Sequence, residues 1–485
     1  MDNDNMQKSV QGLIELMAKE NYNPSISMTI YDNGKYHSFN TGYADLEKKT
    51  PATENTIYAI GSSTKAFAAE ALCILADRGL VDLDKPVREY MPDFAMHDAY
   101  ASNALSVRDI LCHRCGLPRH DATWSADSNI ANRDKLIHNI RHLKPFATFR
   151  SRWHYQNHMY VLAGCLIEKV SGLAWDDFVK KEIMEPIGLE ACFKIDDFAM
   201  RPDASLPYSV TLADGTVQPT KYRNIYHVGA AGCINSTTKQ MAKWVALQLN
   251  DGMADGKQII SSDMLKECHS PQMIIQRVPE SSQFPEITHR SYGLGWFTEV
   301  YRGRTIVHHG GNIDGYSAMH FFVPDFGFGA SILTNSEGTP IQNSLMYSLL
   351  DLYFGDAPID WSARLKDVYI DMLKKGKDAL DSLKEKSVKG TKPSLPLADY
   401  AARYVNLGYG DINVKHEDGA LVAEFGVLCF KMEHLCLDSF IMKLQPLEKH
   451  TVTARFNMGL SGEIESFCAK FEPMLKEMIV FERCK

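Results

Sequence analysis

Tyr58-Ala59-Ile60-Gly61-Ser62-Ser63-Thr64-Lys65 leads straight into Ala66-Phe67-Ala68-Ala69-Glu70-Ala71-Leu72-Cys73-Ile74-Leu75, and the run closes at Gly79-Leu80. Ala and Leu are strong helix formers and Gly is common just past a helix end, so the spacing predicts a helix over 66–80 opened by Ser62 and Lys65. A serine at that place lies near unpaired N–H groups and the positive end of the helix dipole, both of which favour an oxyanion. Lys65 emerges on the same helix face and can take the hydroxyl proton when it is neutral, a state that burial or a neighbouring cation promotes. Alone the motif is weak, because a plain helix cap uses the same residues and a chain of 485 residues meets Ser-x-x-Lys by chance. A second copy, Ser236-Thr237-Thr238-Lys239, reads better as a helix start in which Asn235 or Ser236 caps a helix over 240–249.

Outward from this helix, 6–20 carries apolar residues at near-helical spacing, and Ile26-Ser27-Met28-Thr29-Ile30-Tyr31 alternates before Asp32-Asn33-Gly34. Asn-Gly between alternating runs predicts a hairpin, since a type I′ turn needs positive φ at both central residues. A helix over 160–170 ends before Ser171-Gly172, and a short one is expected over 107–111. Strand signals return in Gly293-Leu294-Gly295-Trp296-Phe297, Thr305-Ile306-Val307, 317–323 and 329–334. Strands thus open and close the first 350 residues with helices between them, the order of an α+β layer structure whose sheet joins both ends. A charged helix with Leu365, Val368, Tyr369, Met372 and Leu373 on one stripe precedes the linker-like Lys389-Gly390-Thr391-Lys392-Pro393-Ser394-Leu395-Pro396. The tail, with Ile412-Asn413-Val414, Leu421-Val422-Ala423 and Thr451-Val452-Thr453-Ala454 broken by Gly and Asp, reads as a small all-β barrel or sandwich. The expected division is therefore 1–355, a helix and linker over 356–396, and 397–485.

Other segments carry chemistry-bearing side chains. Tyr155-Gln156-Asn157 precedes a helix; a tyrosine near a lysine can relay protons, and Asn157 could orient the lysine or a substrate amide. Tyr-x-Asn recurs at Tyr31, Tyr222 and Tyr404, without a following helix. His308-His309-Gly310-Gly311-Asn312-Ile313-Asp314-Gly315-Tyr316 lies between strand signals, and its glycines permit close backbone approach to a ligand. The same residues also fit a Gly-rich bulge or a fragment of a metal site, but no further ligand at helical spacing accompanies the histidines and metal is the poorer reading. Cys112-His113-Arg114-Cys115 suits half a zinc knuckle, a redox pair or a turn; the second half is missing and the turn is favoured. No G-x-S-x-G, Walker A or G-x-G-x-x-G run is present.

Composition narrows the classes. Hydrophobic residues make up 45% and charged residues 23%, the balance of a globular enzyme or binding protein rather than a disordered chain. The net charge of −8 lacks the basic excess on which nucleic-acid affinity depends; the one basic stretch, 364–392, mixes nine Lys/Arg with five Asp/Glu and reads as a solvated helix. No apolar run is long enough to span a bilayer, so no membrane is expected as a partner. Eleven scattered cysteines and an acidic, polar start, Met1-Asp2-Asn3-Asp4, point to reduced thiols and a cytoplasmic protein.

In their order, Ser-x-x-Lys, Tyr-x-Asn and His-x-Gly together resemble the serine β-lactamase and penicillin-binding-protein superfamily, closest to its class C-like esterase and D-aminopeptidase branch. The resemblance spans about residues 10–350. Leu111-Cys112-His113-Arg114-Cys115-Gly116-Leu117-Pro118 is similar to the family's L-x-H-x-S-G-L-P turn with Cys115 in place of Ser, and Tyr292-Gly293-Leu294-Gly295-Trp296 and Pro324-Asp325-Phe326-Gly327 also look like family segments. Residues 397–485, with Tyr404 and Gly408-Tyr409-Gly410, resemble the lipocalin-like barrel attached to some members. The family's spacing from the motif glycine to a later Gly-aromatic pair selects His309, followed by Gly310-Gly311, over His308.

The resemblance implies a β-lactamase-like antiparallel sheet flanked by helices, with a helical subdomain. It implies Ser62 as nucleophile, Lys65 as base or relay, and Tyr155 sharing the relay. It also implies Asn157 and His309 in the hydrogen-bond network, and main-chain N–H groups of Ser62 and Asn312, beside Gly311, as the oxyanion hole. No cofactor and no metal are implied. The substrate would be a small ester, amide or short peptide, and the tail would line the site or mediate self-association into a homo-oligomer. β-Lactamases and cell-wall carboxypeptidases usually carry Lys where His309 stands; a neutral His holds a carboxylate less well, which argues against penicillins and D-Ala-D-Ala termini as main substrates. β-Lactamase, D,D-peptidase and acyl-transfer activity stay open on the same residues. The reading from another class is a sensing protein without turnover, whose hallmark would be loss of Lys65 or Tyr155; both are present.

Overall fold

The computed structural model describes residues 3–126, 132–276, 284–445 and 451–484. The chain forms two compact units, each assembled from separate stretches. The first comprises Met1–Pro92, Leu105–His113 and Met159–Leu373; the second comprises Asp93–Ala104, Arg114–His158 and Lys374–Lys485.

The first unit is built on a nine-stranded sheet. Its strand order is Met273–Ile274, Ile287–Tyr292, Phe297–Tyr301, Arg304–Ile313, Tyr316–Val323, Phe328–Thr334, Ser25–Asp32, Lys35–Asp45 and Thr50–Pro51. Every pairing is antiparallel, and Ile26 opposite Thr334 joins the N-terminal hairpin to the strands 300 residues later. The hairpin turns as its Asn-Gly demands: Asp32 faces Lys35, with φ of 45° at Asn33 and 90° at Gly34. On one face the helices Asn3–Glu20 and Ile341–Phe354 bury Val10, Ile14, Leu345 and Leu349 against Met28, Phe321 and Ile332. Each such side chain contributes roughly 1.5–3 kcal/mol through removal from water.

Among the further helices of the unit are Thr64–Asp77 and Thr238–Leu249. The first is buried from Thr64 through Leu75, so it is apolar all round and shows little amphipathic periodicity. Its one acidic interior residue, Glu70, accepts a 2.9 Å hydrogen bond from Trp244 Nε1, and Trp244 stacks between Phe67 and Trp296. Burial raises the Glu70 carboxyl from its ordinary 4.5 to about 8. Between those values the folded protein keeps a proton that the unfolded chain releases, so this group's contribution to stability falls as pH rises from about 4.5 to 8. Glu70→Gln, which cannot ionise, is expected to flatten the decline of Tm across that window; parallel melting curves for wild type and variant would contradict it.

Two sequence expectations change. Gly293-Leu294-Gly295-Trp296 is a turn between strands, not part of a strand. A Cβ on Gly293 would lie 2.1 Å from Cys268 O, and one on Gly295, where φ is +79°, would lie 2.8 Å from Ala66 Cα. The helix Thr238–Leu249 is capped by Thr237, whose hydroxyl accepts from Gln240 N, while Ser236 donates to Glu190 O and Asn235 to the Cys192 and Cys233 carbonyls.

The second unit holds a closed barrel of eight antiparallel strands between Ala402–Asn406 and Ile479–Arg483, closed by Tyr404 opposite Arg483. Buried residues alternate along most of the strands, Ser439–Leu444 and Ile464–Ala469 excepted, and Tyr404, Phe430, Phe456, Phe467 and Phe481 fill the interior as a packed core. Short helices Ala99–Ala104, Ala122–Ala126 and Arg133–Asn139 and the loop before Asn157 belong to this unit. Among the described residues no helix is long and apolar enough to cross a membrane.

Candidate active site

Ser62 sits in a single 3₁₀ turn, Gly61–Ser63, that feeds the helix Thr64–Asp77; Gly61 takes φ of +51° to make the bend. Lys65 is fully buried, with its Nζ 3.1 Å from Ser62 Oγ and donating to Ala231 O at 2.7 Å. The carbonyl uses one N–H of the amine. A neutral amine so held can turn its lone pair to the Ser62 hydroxyl, which is the geometry of a general base beside a nucleophile. The residues between them tie the turn down: Ser63 Oγ donates to His309 O at 3.1 Å, and Thr64 Oγ1 accepts from Ile234 N at 3.2 Å.

The strand Arg304–Ile313 runs past this turn at backbone contact. A Cβ on Gly311 would lie 1.9 Å from Ile60 O and 2.8 Å from Ser62 N, and one on Gly61 would lie 3.1 Å from Asn312 N. Only glycine at 311 allows this approach, and it brings the main-chain nitrogens of Ser62 and Asn312 to one place, as two donors to one oxyanion require. Asn312 is fixed by its own side chain, whose Oδ1 accepts from Ser317 Oγ and Gln342 Nε2.

His309 and His308 point to opposite sides of the pleated strand. His309 is buried; its Nδ1 donates to Gly310 O at 2.6 Å, so its Nε2 accepts from Tyr292 Oη at 2.9 Å. Burial, with the Lys65 charge adding to it, pushes the imidazole well below its ordinary 6.5, so His309 is neutral at pH 7. His308 stacks instead on Phe297 and lies 3.8 Å from Glu299.

Tyr155 and Asn157 belong to the second unit. The Arg119 guanidinium lies 5.1 Å from the Tyr155 ring centre, and Asn157 Nδ2 donates to Asp121 Oδ1 at 2.8 Å. The structure thus gathers Ser62, Lys65, His309, Gly311 and Asn312 in the first unit and groups Tyr155 and Asn157 with Asp121 in the second. The second Ser-x-x-Lys lies apart, its Lys239 half exposed and paired with Glu54. Cys112 and Cys115 are buried and form no disulfide around a turn at His113, where φ is +60°; among the described residues no group of three or more His, Cys, Asp or Glu is placed to hold a metal.

Sequence reasoning missed Ala231, Tyr292 and Asp121. Ala231 acts through its carbonyl, which leaves no trace in side-chain identity. Tyr292 lies inside the segment Tyr292–Trp296 already singled out, but without a role, and Asp121 lies three residues beyond Leu117-Pro118; that proximity was the available signal.

Residues 10–351 match the protein family described as Beta-lactamase, and residues 386–483 match a domain of unknown function, DUF3471. An unguisins hydrolase of Aspergillus campestris (strain IBT 28561) is 27% identical over 408 residues, 81% of this chain and 74% of its own length. Protein flp of Staphylococcus aureus (strain MW2) is 25% identical over 336 residues, 68% of this chain and 63% of its own. Among solved structures, the octameric penicillin-binding protein homologue from Pyrococcus abyssi has a TM-score of 0.65 at 22% identity, over 99% of this chain and 100% of that one. The D-amino acid amidase from Ochrobactrum anthropi SV3 has a TM-score of 0.60 at 23% identity, over 72% of this chain and 99% of that one. These last two likenesses are of fold.

Proposed function

The chain belongs to the beta-lactamase family of serine hydrolases, and from that premise we propose that it cleaves an ester or amide through an acyl-enzyme on Ser62. The observation that carries the proposal is the buried Lys65 Nζ, 3.1 Å from Ser62 Oγ and braced by Ala231 O. Lys65 takes the hydroxyl proton as Ser62 Oγ attacks the carbonyl carbon, and the main-chain N–H groups of Ser62 and Asn312 receive the oxyanion. Tyr155 delivers a proton to the departing amine or alcohol as the tetrahedral intermediate collapses, and later draws one from the water that frees the acyl group. Asn157 and His309 hold the network around these steps.

His309 bears on the substrate class. It is neutral at pH 7 and its Nε2 is engaged by Tyr292, so it supplies no cation to a substrate carboxylate. That supports esters, amides and short peptides, D-amino-acid amides included, over penicillins. The amidase neighbour supports the same reading at the level of scaffold, since it is an amide-cleaving enzyme on this fold.

A fluorophosphonate probe is expected to label the wild-type protein on the peptide carrying Ser62 and to leave Ser62→Ala unlabelled. Equal labelling of the two proteins, or none of the wild type, would sink the proposal. A panel of p-nitrophenyl esters, D-amino-acid anilides and nitrocefin then separates the substrate classes, with nitrocefin expected to be the poorest.

A further inference from the structure

In the second unit, the loop 118–121 and the first turn of the helix Ala122–Ala126 meet Tyr155, Gln156, Asn157 and His158 on one side and the barrel-region residues Tyr409 and Glu472 on the other. His120 is the centre of this stretch: fully buried, in the left-handed region at φ of +48°, and tied at both ring nitrogens. Burial lowers its pKa, so the ring is neutral and carries one N–H. Nε2 faces Lys144 O at 3.0 Å, and a carbonyl only accepts, so the hydrogen is on Nε2 and Nδ1 accepts from Tyr409 Oη at 2.7 Å. The His120 main-chain N–H donates to Glu472 Oε2 at 2.9 Å; the other carboxylate oxygen takes Met474 N at 3.0 Å. Tyr409 and Glu472 are barrel-region residues, each within a tenth of full burial.

From His120 the connections run to every residue of the Tyr-x-Asn motif. Asp121 accepts from Asn157 Nδ2 at 2.8 Å and from Arg119 Nε at 2.5 Å, and that arginine covers the Tyr155 ring. Gln156 Nε2 donates to Pro118 O at 2.6 Å. Thr123 N donates to His120 O, and its hydroxyl meets Nε2 of His158, whose Nδ1 donates to Gln156 Oε1 at 2.9 Å.

We propose that His120, clamped by Tyr409 and Glu472, is the positioning residue for Tyr155 and Asn157, so that the C-terminal barrel sets the geometry of proton delivery to the leaving group. This rests on the reading of Tyr155 as the acid for that group. The two ends of the relay then share one chemical signature. Acylation by an amide needs a proton on the departing nitrogen, whereas p-nitrophenolate leaves without one, so misplacing Tyr155 penalises the amide selectively.

The test compares kcat/KM on an anilide and a p-nitrophenyl ester of the same acyl group. Tyr409→Phe keeps the ring and removes the hydrogen bond to His120; Glu472→Ala removes the acceptor for its N–H, and Glu472→Gln restores an acceptor oxygen. Tyr409→Phe and Glu472→Ala are expected to lower the anilide value about tenfold or more and the ester value less than about threefold, with Glu472→Gln returning to within about threefold of wild type. Equal losses on both substrates, the mark of general loosening, or no loss on either, would overturn the proposal. Tyr155→Phe is measured alongside. If it lacks the anilide-selective loss, the reading of Tyr155 fails; if it shows the loss and Tyr409→Phe does not, the clamp alone fails.

Discussion

Lys65→Met is expected to lower kcat/KM about 10³- to 10⁴-fold, and Lys65→Arg to be as inactive. Methionine matches the length of the lysine stem, so packing beside the Tyr160 ring, 5.4 Å from Nζ, is largely kept while the nitrogen is lost. The Ser62 hydroxyl then has no base at 3.1 Å, and a neutral serine is a poor nucleophile. Loss of the donor to Ala231 O in a buried place costs stability as well, roughly 1–3 kcal/mol, and Tm should fall accordingly. Arginine separates the two functions of the residue. It keeps a positive charge near Ser62, but a guanidinium does not give up its proton in proteins and cannot act as base. Rates on a p-nitrophenyl ester and the rate of fluorophosphonate labelling provide the measurement. Near wild-type activity in Lys65→Arg would mean that charge, not proton removal, is what Lys65 supplies, and the mechanism would have to change.

How much of this was legible before any coordinates depended on which part of a residue acts. Asn33-Gly34 predicted its hairpin because the turn needs positive φ and those two residues supply it. The contact of Ser62 with Lys65 was legible because the two side chains keep a fixed spacing across the turn that opens one helix, and they meet at 3.1 Å. Strand Arg304–Ile313 was harder: Thr305-Ile306-Val307 gave a strand signal, but His308-His309-Gly310-Gly311 has no apolar-polar alternation to read, so that part also fitted a Gly-rich bulge or a fragment of a metal site. The pairing of His309 with His320 and Gly311 with Ala318 shows that it continues as strand. Gly293 to Trp296 failed in the opposite sense, since apolar residues packed on a helix mimic a buried strand. Ala231 was out of reach altogether, because a carbonyl 166 residues from Lys65 is brought to it only by tertiary packing. The Tyr409 and Glu472 contacts to His120 were invisible for the same reason, 289 and 352 residues away.

Gly311→Ala is expected to reduce kcat about 10²- to 10³-fold although it adds one methyl group and removes no functional atom. Gly311 is outside the left-handed region, so alanine meets no conformational penalty there; the obstacle is space. The new Cβ would stand 1.9 Å from Ile60 O and 2.8 Å from both Ile60 C and Ser62 N, all main-chain atoms that cannot rotate aside. Strand Arg304–Ile313 is paired to Phe297–Tyr301 as far as His308 and to Tyr316–Val323 through Gly311 itself, which faces Ala318, so the clash is relieved by separating the strand from the turn that carries Ser62. A displacement of about 1 Å at that contact moves the Asn312 N–H away from the Ser62 N–H, and a hydrogen-bond pocket for an oxyanion tolerates little such error. The neighbouring glycine is the control. A Cβ on Gly310 meets nothing closer than Ala318 O at 3.2 Å and the flexible end of Met319 at 3.3 Å, so Gly310→Ala should stay within about tenfold of wild type. Both variants are read by kcat on a p-nitrophenyl ester, with Tm to confirm folding. A folded Gly311→Ala protein of near wild-type kcat would show that the Asn312 N–H does not serve the oxyanion, and would send the search for the second donor elsewhere.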